Sequence, residues 1–340
     1  MSTTTRTSEV FSSVQTGWQL GAPLYVPALH PDLLKIANAE KIPLIKSMII
    51  CTEDAVAEKD LVQSIANLKH FLPLIQRIES RYRFIRVRNP ETLKRILDLP
   101  GIENIDGFVL PKFDLSNSDA YHRILIHTRF RIMPTLETID VFNPSAMRDL
   151  ALTLASSDLK HNIVLLRIGG NDLLNLISMR RPRGVSLYET PLAHVIAQLV
   201  TTFKPLGFPL SAPVYEYLDD TETLDREIRS DLAYGLIGKT AIHPTQIPMI
   251  QRHYRVAQME YEQALDILNT DSPAVFKRHQ AMCEISTHIN WARQIVARYD
   301  YFGLDDSDRC QTEKSAQHSS FERSLLKNAD SFSIFAPYAN

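Results

Sequence analysis

The chain has 340 residues with 37 Lys+Arg against 39 Asp+Glu, a formal charge of -2, and no basic tract, which speaks against a nucleic-acid surface. No uncharged run approaches the roughly 18 residues of a membrane span, the Ser/Thr-rich start lacks the apolar core of a secretory signal, and the three scattered cysteines, Cys51, Cys283 and Cys310, read as reduced thiols. A soluble, cytoplasmic enzyme built on one large α/β domain fits these bounds, with no nucleic-acid or membrane partner.

In chain order, short apolar runs alternate with longer amphipathic ones. The spacing predicts strands over 23–27, 44–51, 84–87, 107–110, 131–135, 163–168, 208–212 and 234–242. Helical patterns over 57–78, 90–98, 120–128, 144–157, 191–203 and 222–231 lie between most of them, and the first crossover is short, about 32–40. Strands alternating with helices imply parallel βαβ units. Eight of them is the count of a closed (β/α)8 TIM barrel. No G-x-G-x-x-G follows the first strand, so a dinucleotide-binding fold lacks its fingerprint. Helices over 244–268 and 274–299 are predicted beyond the barrel, as a C-terminal helical extension. The expected organisation is a flexible N-terminus over 1–20, a barrel domain over 21–268, a helical lid over 269–304 and a polar tail over 305–340.

In such a barrel, chemistry collects where strands end and the βα loops begin. Glu137, in Pro134-Thr-Leu-Glu-Thr138, and Asp172, in Arg167-Ile-Gly-Gly-Asn-Asp172, each follow a predicted strand and are separated by one helical stretch. A parallel sheet therefore brings both carboxylates to the same edge. Two neighbouring carboxylates with little else around them suit Mg²⁺, which keeps several waters; Mn²⁺ also takes oxygen ligands. The same rim gathers Glu53 and Asp54 after the second strand, Arg86, Arg88 and Asn89 after the third, and Lys112 after the fourth. Asn171 follows the sixth strand, with Lys239 and His243 at the eighth. That charge density exceeds what a structural rim needs. Each residue also has a plainer role open to it. Glu137 and Asp172 can sit in a salt-bridge network, Arg86 can neutralise Glu53 and Asp54, and those two can cap a helix. Lys112 can be merely solvated, His243-Pro244 is a helix start signal, Gly169-Gly170 suits a tight turn presenting Asp172, and Cys51 reads as a small buried residue.

Seven motifs occur in order: Tyr25-Val-Pro27, Thr52-Glu-Asp-Ala-Val56, Arg86-Val87, Gly107-Phe-Val-Leu-Pro-Lys112, Glu137-Thr138, Gly169 to Asp172, and Gly238-Lys-Thr-Ala-Ile-His-Pro244. On these, from about Leu24 to Arg298, the chain resembles the citrate lyase β-subunit-like proteins, the HpcH/HpaI aldolase group of phosphoenolpyruvate/pyruvate-type barrels. The resemblance implies a carbon–carbon lyase or aldolase that works next to a carbonyl, often in an acyl-CoA, with a 2-oxo acid such as pyruvate or glyoxylate as one fragment. It implies that Glu137 and Asp172 hold Mg²⁺, that Glu53 and Asp54 orient its waters, and that Arg86 grips a carboxylate or a developing enolate oxygen. Lys112, Gly170 and Asn171 would line the substrate. Glu284, in Met282-Cys-Glu284, stands at the family's mobile lid Asp and would act as a general acid/base, delivered by a lid, from a neighbouring subunit if the lid is swapped. Relatives of this kind are commonly homotrimers or homohexamers. The chain departs from the pattern at Cys51, where the family has the first Asp of its acidic motif, and at Ser211, where an Asp often follows strand seven. His30 and Asp32 replace an Arg and a Lys that meet CoA phosphates. An anionic Asp opposes a phosphate, so a CoA thioester substrate stays open. An acyl or thioester hydrolase in which Glu284 activates water, or a catalytically silent scaffold, remain the alternatives.

Overall fold

A computed structural model describes residues 17–305. Most of the predicted N-terminal segment and the tail after Asp305, with Cys310, lie outside the described residues.

Seven parallel strands form one sheet in sequence order: β1 (Leu24–Pro27), β2 (Ser47–Cys51), β3 (Tyr82–Arg86), β4 (Gly107–Leu110), β5 (Arg131–Leu136), β6 (Leu166–Ile168) and β7 (Leu210–Ser211). The helices between them are α1 (Leu33–Ala37), α2 (Leu61–Phe71), α3 (Pro90–Leu97), α4 (Leu115–Leu125), α5 (Pro144–Ser156), α6 (Gly170–Leu176), α7 (Leu192–Phe203) and α8 (Thr221–Ala233). The sheet curls into a ring. Lys239 bridges Ala212 beyond β7 and Ala241 bridges Leu24 of β1, both parallel. The expected eighth strand is thus reduced to single bridges. Helix α8 runs on to Ala233, and Gly235 and Gly238 then turn with φ of 71° and 78°.

Parallel strands covered on both faces read as continuous apolar runs. All five residues of β2, Ser47–Cys51, are buried. Ile49, Phe84, Val109, Met133 and Leu165 meet in one cluster, joined by Tyr25 and closed by Leu20 from the short turn before β1. Helix starts explain two boundaries. Asn89 accepts the Thr92 N–H ahead of Pro90, and Asp114 with Asn117 forms a reciprocal cap, so α4 starts at Leu115 rather than at 120. Helix α6 was not expected; it is a seven-residue turn of helix directly behind a strand.

Outside the ring lies a second charged cluster. The Arg181 guanidinium reaches Glu227 at 2.6 Å and Glu216 at 3.3 Å, while Lys239 Nζ reaches Glu227 at 2.8 Å and Asp231 at 3.0 Å. The Tyr188 hydroxyl donates to Asp231 at 2.6 Å. Three carboxylates face two cations here. Burial, opposed by Lys239 and reinforced by Glu227, pushes the Asp231 carboxyl up to about 6. Its folded value lies above its unfolded one, so the stability it contributes is present at low pH and lost as pH rises through about 6. Asp231→Asn, which cannot ionise, is expected to gain stability relative to wild type between roughly pH 4 and 7. Urea melts of both proteins across that range test this, and a pH-independent difference would refute it.

The described chain forms two compact units that part between Ile247 and Pro248. The expected helix over 244–268 is two, α9 (Gln246–His253) and α10 (Gln258–Leu268). The expected helix over 274–299 is corrected further. It opens as an antiparallel hairpin, β8 (Val275–Arg278) and β9 (Ala281–Glu284), and only then becomes α11 (Ile285–Phe302). The hairpin turn is His279 and Gln280, both left-handed with φ of 48° and 63°, the geometry a two-residue hairpin demands. In this second unit Tyr261 and Tyr299 stack at 3.9 Å over a small core that includes Ala264, Ile267, Cys283, Ala292 and Ile295. No helix among the described residues is long and apolar enough to cross a membrane.

Candidate functional site

The C-terminal ends of β2 to β6 bring most of the sequence-selected residues together. Arg86, the last residue of β3, is nearly buried, and its Nη2 lies 2.6 Å from Glu53, 2.9 Å from Asp54 and 3.2 Å from Glu137. Lys112 Nζ lies 2.6 Å from Glu53, 3.5 Å from Asp54 and 3.7 Å from Asp172. Two cations therefore bind four carboxylates into one network across five consecutive strand ends.

Local structure holds each member in place. Thr52 donates its hydroxyl to the Arg86 carbonyl at 2.8 Å, and Arg88 donates to the Val56 carbonyl at 2.7 Å, which fixes the loop carrying Glu53 and Asp54. The Asp54 N–H donates to Glu53 at 2.8 Å. Lys112 is left-handed, with φ of 47°, a conformation costing a side-chain-bearing residue about 1–2 kcal/mol. It aims the Lys112 N–H at Glu137 Oε1, 2.9 Å away. Strain of this kind concentrates at functional sites.

The electrostatics follow from burial. Burial, with Arg86 opposing and Asp172 adding to it, pushes the Glu137 carboxyl up to about 7. Burial also raises Glu53, against the pull of Arg86. At Asp54 the Arg86 guanidinium, with Glu53 and Lys112, overcomes burial and holds the carboxyl low. Burial lowers Lys112, but its bond to Glu53 outweighs this and raises it.

Glu137 Oε2 lies against Gly169, where a β-carbon would stand 2.1 Å from it. The glycine is therefore required by the carboxylate, not only by the turn. Gly169→Ala is expected to displace Glu137 and weaken divalent-cation binding by about 10-fold or more, in the range seen when the support of a metal ligand is lost. Calorimetric titration checks this, and unchanged affinity would refute it. Among the described residues no group of three or more His, Cys, Asp or Glu side chains is placed as a metal cage. Glu137 and Asp172 offer hard oxygens, one buried and one partly open. That fits Mg²⁺, which leaves most of its positions to water and substrate.

The other expected residues are less central. Gly170 is buried and close to Pro213, and Asn171 is exposed on the first turn of α6. Glu284 lies in the second unit, where its carboxylate accepts from the Ser286 and Thr287 hydroxyls of α11, the helix that follows it, at 2.9 Å and 3.3 Å. Cys51 is buried and its thiol is pushed up by burial. His243 bonds Thr245 as part of a turn. Lys239 faces α8 and not the rim. Reading the sequence missed Arg167 and Thr135, which lie in register on β6 and β5, and it marked Ser211, their neighbour on β7, only as a departure from the family pattern. Period-two alternation, which puts Thr135 on the face of Glu137 and Arg167 on that of Gly169, was the available signal.

Known structures share this arrangement of chain. CitE of Mycobacterium tuberculosis, solved with magnesium, acetoacetate and coenzyme A, aligns over 82% of this chain and 98% of its own with a TM-score of 0.59 and 21% identity. The citrate lyase β subunit of the same organism, solved with oxaloacetate and magnesium, aligns over 71% of this chain and 100% of its own, with a TM-score of 0.53 and 20% identity. RipC of Yersinia pestis aligns over 69% and 94%, with a TM-score of 0.53 and 20% identity. At these identities the likeness shows the fold. No curated protein matches the chain. The family of C–C bond lyases of the TIM-barrel fold matches residues 14–304, nearly all of the described chain, and the protein belongs to that family.

Proposed function

We propose that the protein is a Mg²⁺-dependent carbon–carbon lyase that makes or breaks a bond between a 2-oxo acid and an acyl fragment at the rim of the barrel. The observation that carries this reading is the Arg86 guanidinium, buried among Glu53, Asp54 and Glu137, with Lys112 linking the same group to Asp172. Magnesium held by Glu137 and Asp172 would supply Lewis-acid polarisation of the carboxylate and adjacent oxygen of the 2-oxo acid. The rest is the work of the chain. Arg86 offers a fixed, planar cation to an oxygen that gains negative charge as the bond breaks. Glu53 and Asp54 hold that guanidinium in one orientation, and Lys112 balances the carboxylates. The M. tuberculosis relatives solved with magnesium and pyruvate, acetoacetate or oxaloacetate support the substrate class. On the loop after β1, Asp32 is paired with Lys41 at 2.6 Å and held below the usual carboxylate range by it, so its charge is balanced within the loop.

Proton exchange tests the reading without the natural substrate. In D2O with Mg²⁺, the wild-type protein is expected to exchange the α-protons of pyruvate or of a short acetyl thioester, as seen by NMR, and chelation is expected to stop it. Exchange that proceeds equally after chelation, or no exchange in either compound, would contradict a metal-dependent lyase.

A further inference from the structure

The inside of the barrel carries a cation that the network above does not use. Arg167 of β6 is 5% exposed, and its guanidinium carbon lies 5.4 Å from the centre of the Tyr25 ring, while that of Arg86 lies 5.7 Å from the same ring. Arg167 donates to the Thr240 hydroxyl at 2.6 Å. Among the described residues no carboxylate pairs with it, and its Nε has no partner. On either side, in register, stand Thr135 of β5 and Ser211 of β7. Both are 3% exposed, and among the described residues neither hydroxyl has a partner. The Nε of Arg86 lacks one as well.

A buried cation without a counter-ion is costly, and so is a buried donor without an acceptor. Here such groups stand side by side on one face of three neighbouring strands. Together they form a donor set: a guanidinium edge flanked by two hydroxyls, which matches the two oxygens of a carboxylate. One uncompensated positive charge suits the single charge of a carboxylate better than a doubly charged phosphate.

We propose that Arg167, with Thr135 and Ser211, receives a second carboxylate of the substrate, so that the 2-oxo acid is a dicarboxylate whose far end reaches into the barrel while its 2-oxo end sits at Arg86, Glu137 and Asp172. This rests on the lyase reading for the placement of the 2-oxo end. Arg167 is then a specificity residue that touches substrate. It also accounts for Ser211: a short neutral donor leaves the field of Arg167 intact, where a carboxylate would neutralise it.

The test is calorimetric binding of pyruvate, oxaloacetate and 2-oxoglutarate, with Mg²⁺ present and absent, to wild type, Arg167→Met and Arg167→Lys. These acids share one head and differ in whether a second carboxylate is present and how far away it lies. Wild type is expected to bind at least one dicarboxylate about tenfold or more tighter than pyruvate, the order of one hydrogen-bonded charge pair. Arg167→Met is expected to erase that preference while leaving pyruvate affinity within about threefold, and Arg167→Lys to keep part of it. Ser211→Ala and Thr135→Val, which remove only hydroxyls, give the same readout at smaller size if Arg167→Met does not fold. Pyruvate bound with Mg²⁺ and dicarboxylates bound no tighter, or a preference that survives Arg167→Met, would overturn the inference and leave the lyase reading standing. Failure of all three acids to bind, with or without Mg²⁺, would overturn both.

Discussion

Arg86→Met is expected to lower turnover by at least 10²–10³-fold, the usual loss when one preorganised electrostatic contact is removed from a reacting oxygen. Its effect reaches beyond the substrate. The guanidinium is the shared partner of Glu53, Asp54 and Glu137 at 2.6, 2.9 and 3.2 Å, so methionine leaves three carboxylates facing one another with only Lys112 nearby. Glu137 is already pushed up to about 7 with Arg86 in place, and without it the carboxyl is expected to stay protonated at neutral pH. Arg86→Lys separates the two contributions. A lysine retains the charge but not the planar fork that spans several oxygens. It is expected to keep most of the thermal stability and still lose about 10²-fold in turnover. Thermal melts beside steady-state rates of both variants check this. If Arg86→Lys turned over like wild type, Arg86 would be a structural counter-ion only.

Lys239→Met is expected to cost about 3–5 kcal/mol of stability, the range for breaking a buried ion pair from one side. Lys239 is 1% exposed and is held by Glu227 and Asp231, so its loss leaves three carboxylates to Arg181 alone. This residue lies on the chain segment that closes the ring: Lys239 bridges Ala212, and its neighbour Thr240 holds Arg167. The variant is therefore expected to melt early and, where still folded, to bind substrate poorly. Urea denaturation at neutral pH measures the first effect. Wild-type stability with lost activity would mean that Lys239 acts at the rim after all.

The strands were legible in the sequence because a parallel sheet buried on both faces leaves its mark as plain apolar runs. Gly107–Leu110 forms a strand with the bounds read from the sequence, and β1 and β5 differ by one residue at one end. Once the strands are placed, the rim follows, since Glu53, Asp54, Arg86, Lys112, Glu137 and Asp172 come at or just after strand ends. What the sequence did not disclose is direction. Lys239 and Thr240 are neighbours on a segment that forms only single bridges, and one faces the carboxylates of α8 while the other faces Arg167 inside the ring. Arg167 was hidden in an otherwise apolar run, 163–168, taken as strand. The hairpin of β8 and β9 was read as helix because its turn residues, His279 and Gln280, belong to none of the types that usually mark a turn. Glu284 was chosen by motif position, and the structure places it among the hydroxyls of α11.

The central claim is that Glu137 and Asp172 hold a divalent cation through which a 2-oxo acid binds. Calorimetric titration of Mg²⁺ into wild type and Glu137→Gln/Asp172→Asn, with and without pyruvate, tests it most directly. The account predicts that wild type binds Mg²⁺, that pyruvate and Mg²⁺ each tighten the other, and that the double variant, still folded by its melting curve, binds neither. Mg²⁺ binding that survives in the double variant, or pyruvate binding that is indifferent to the metal, would contradict it.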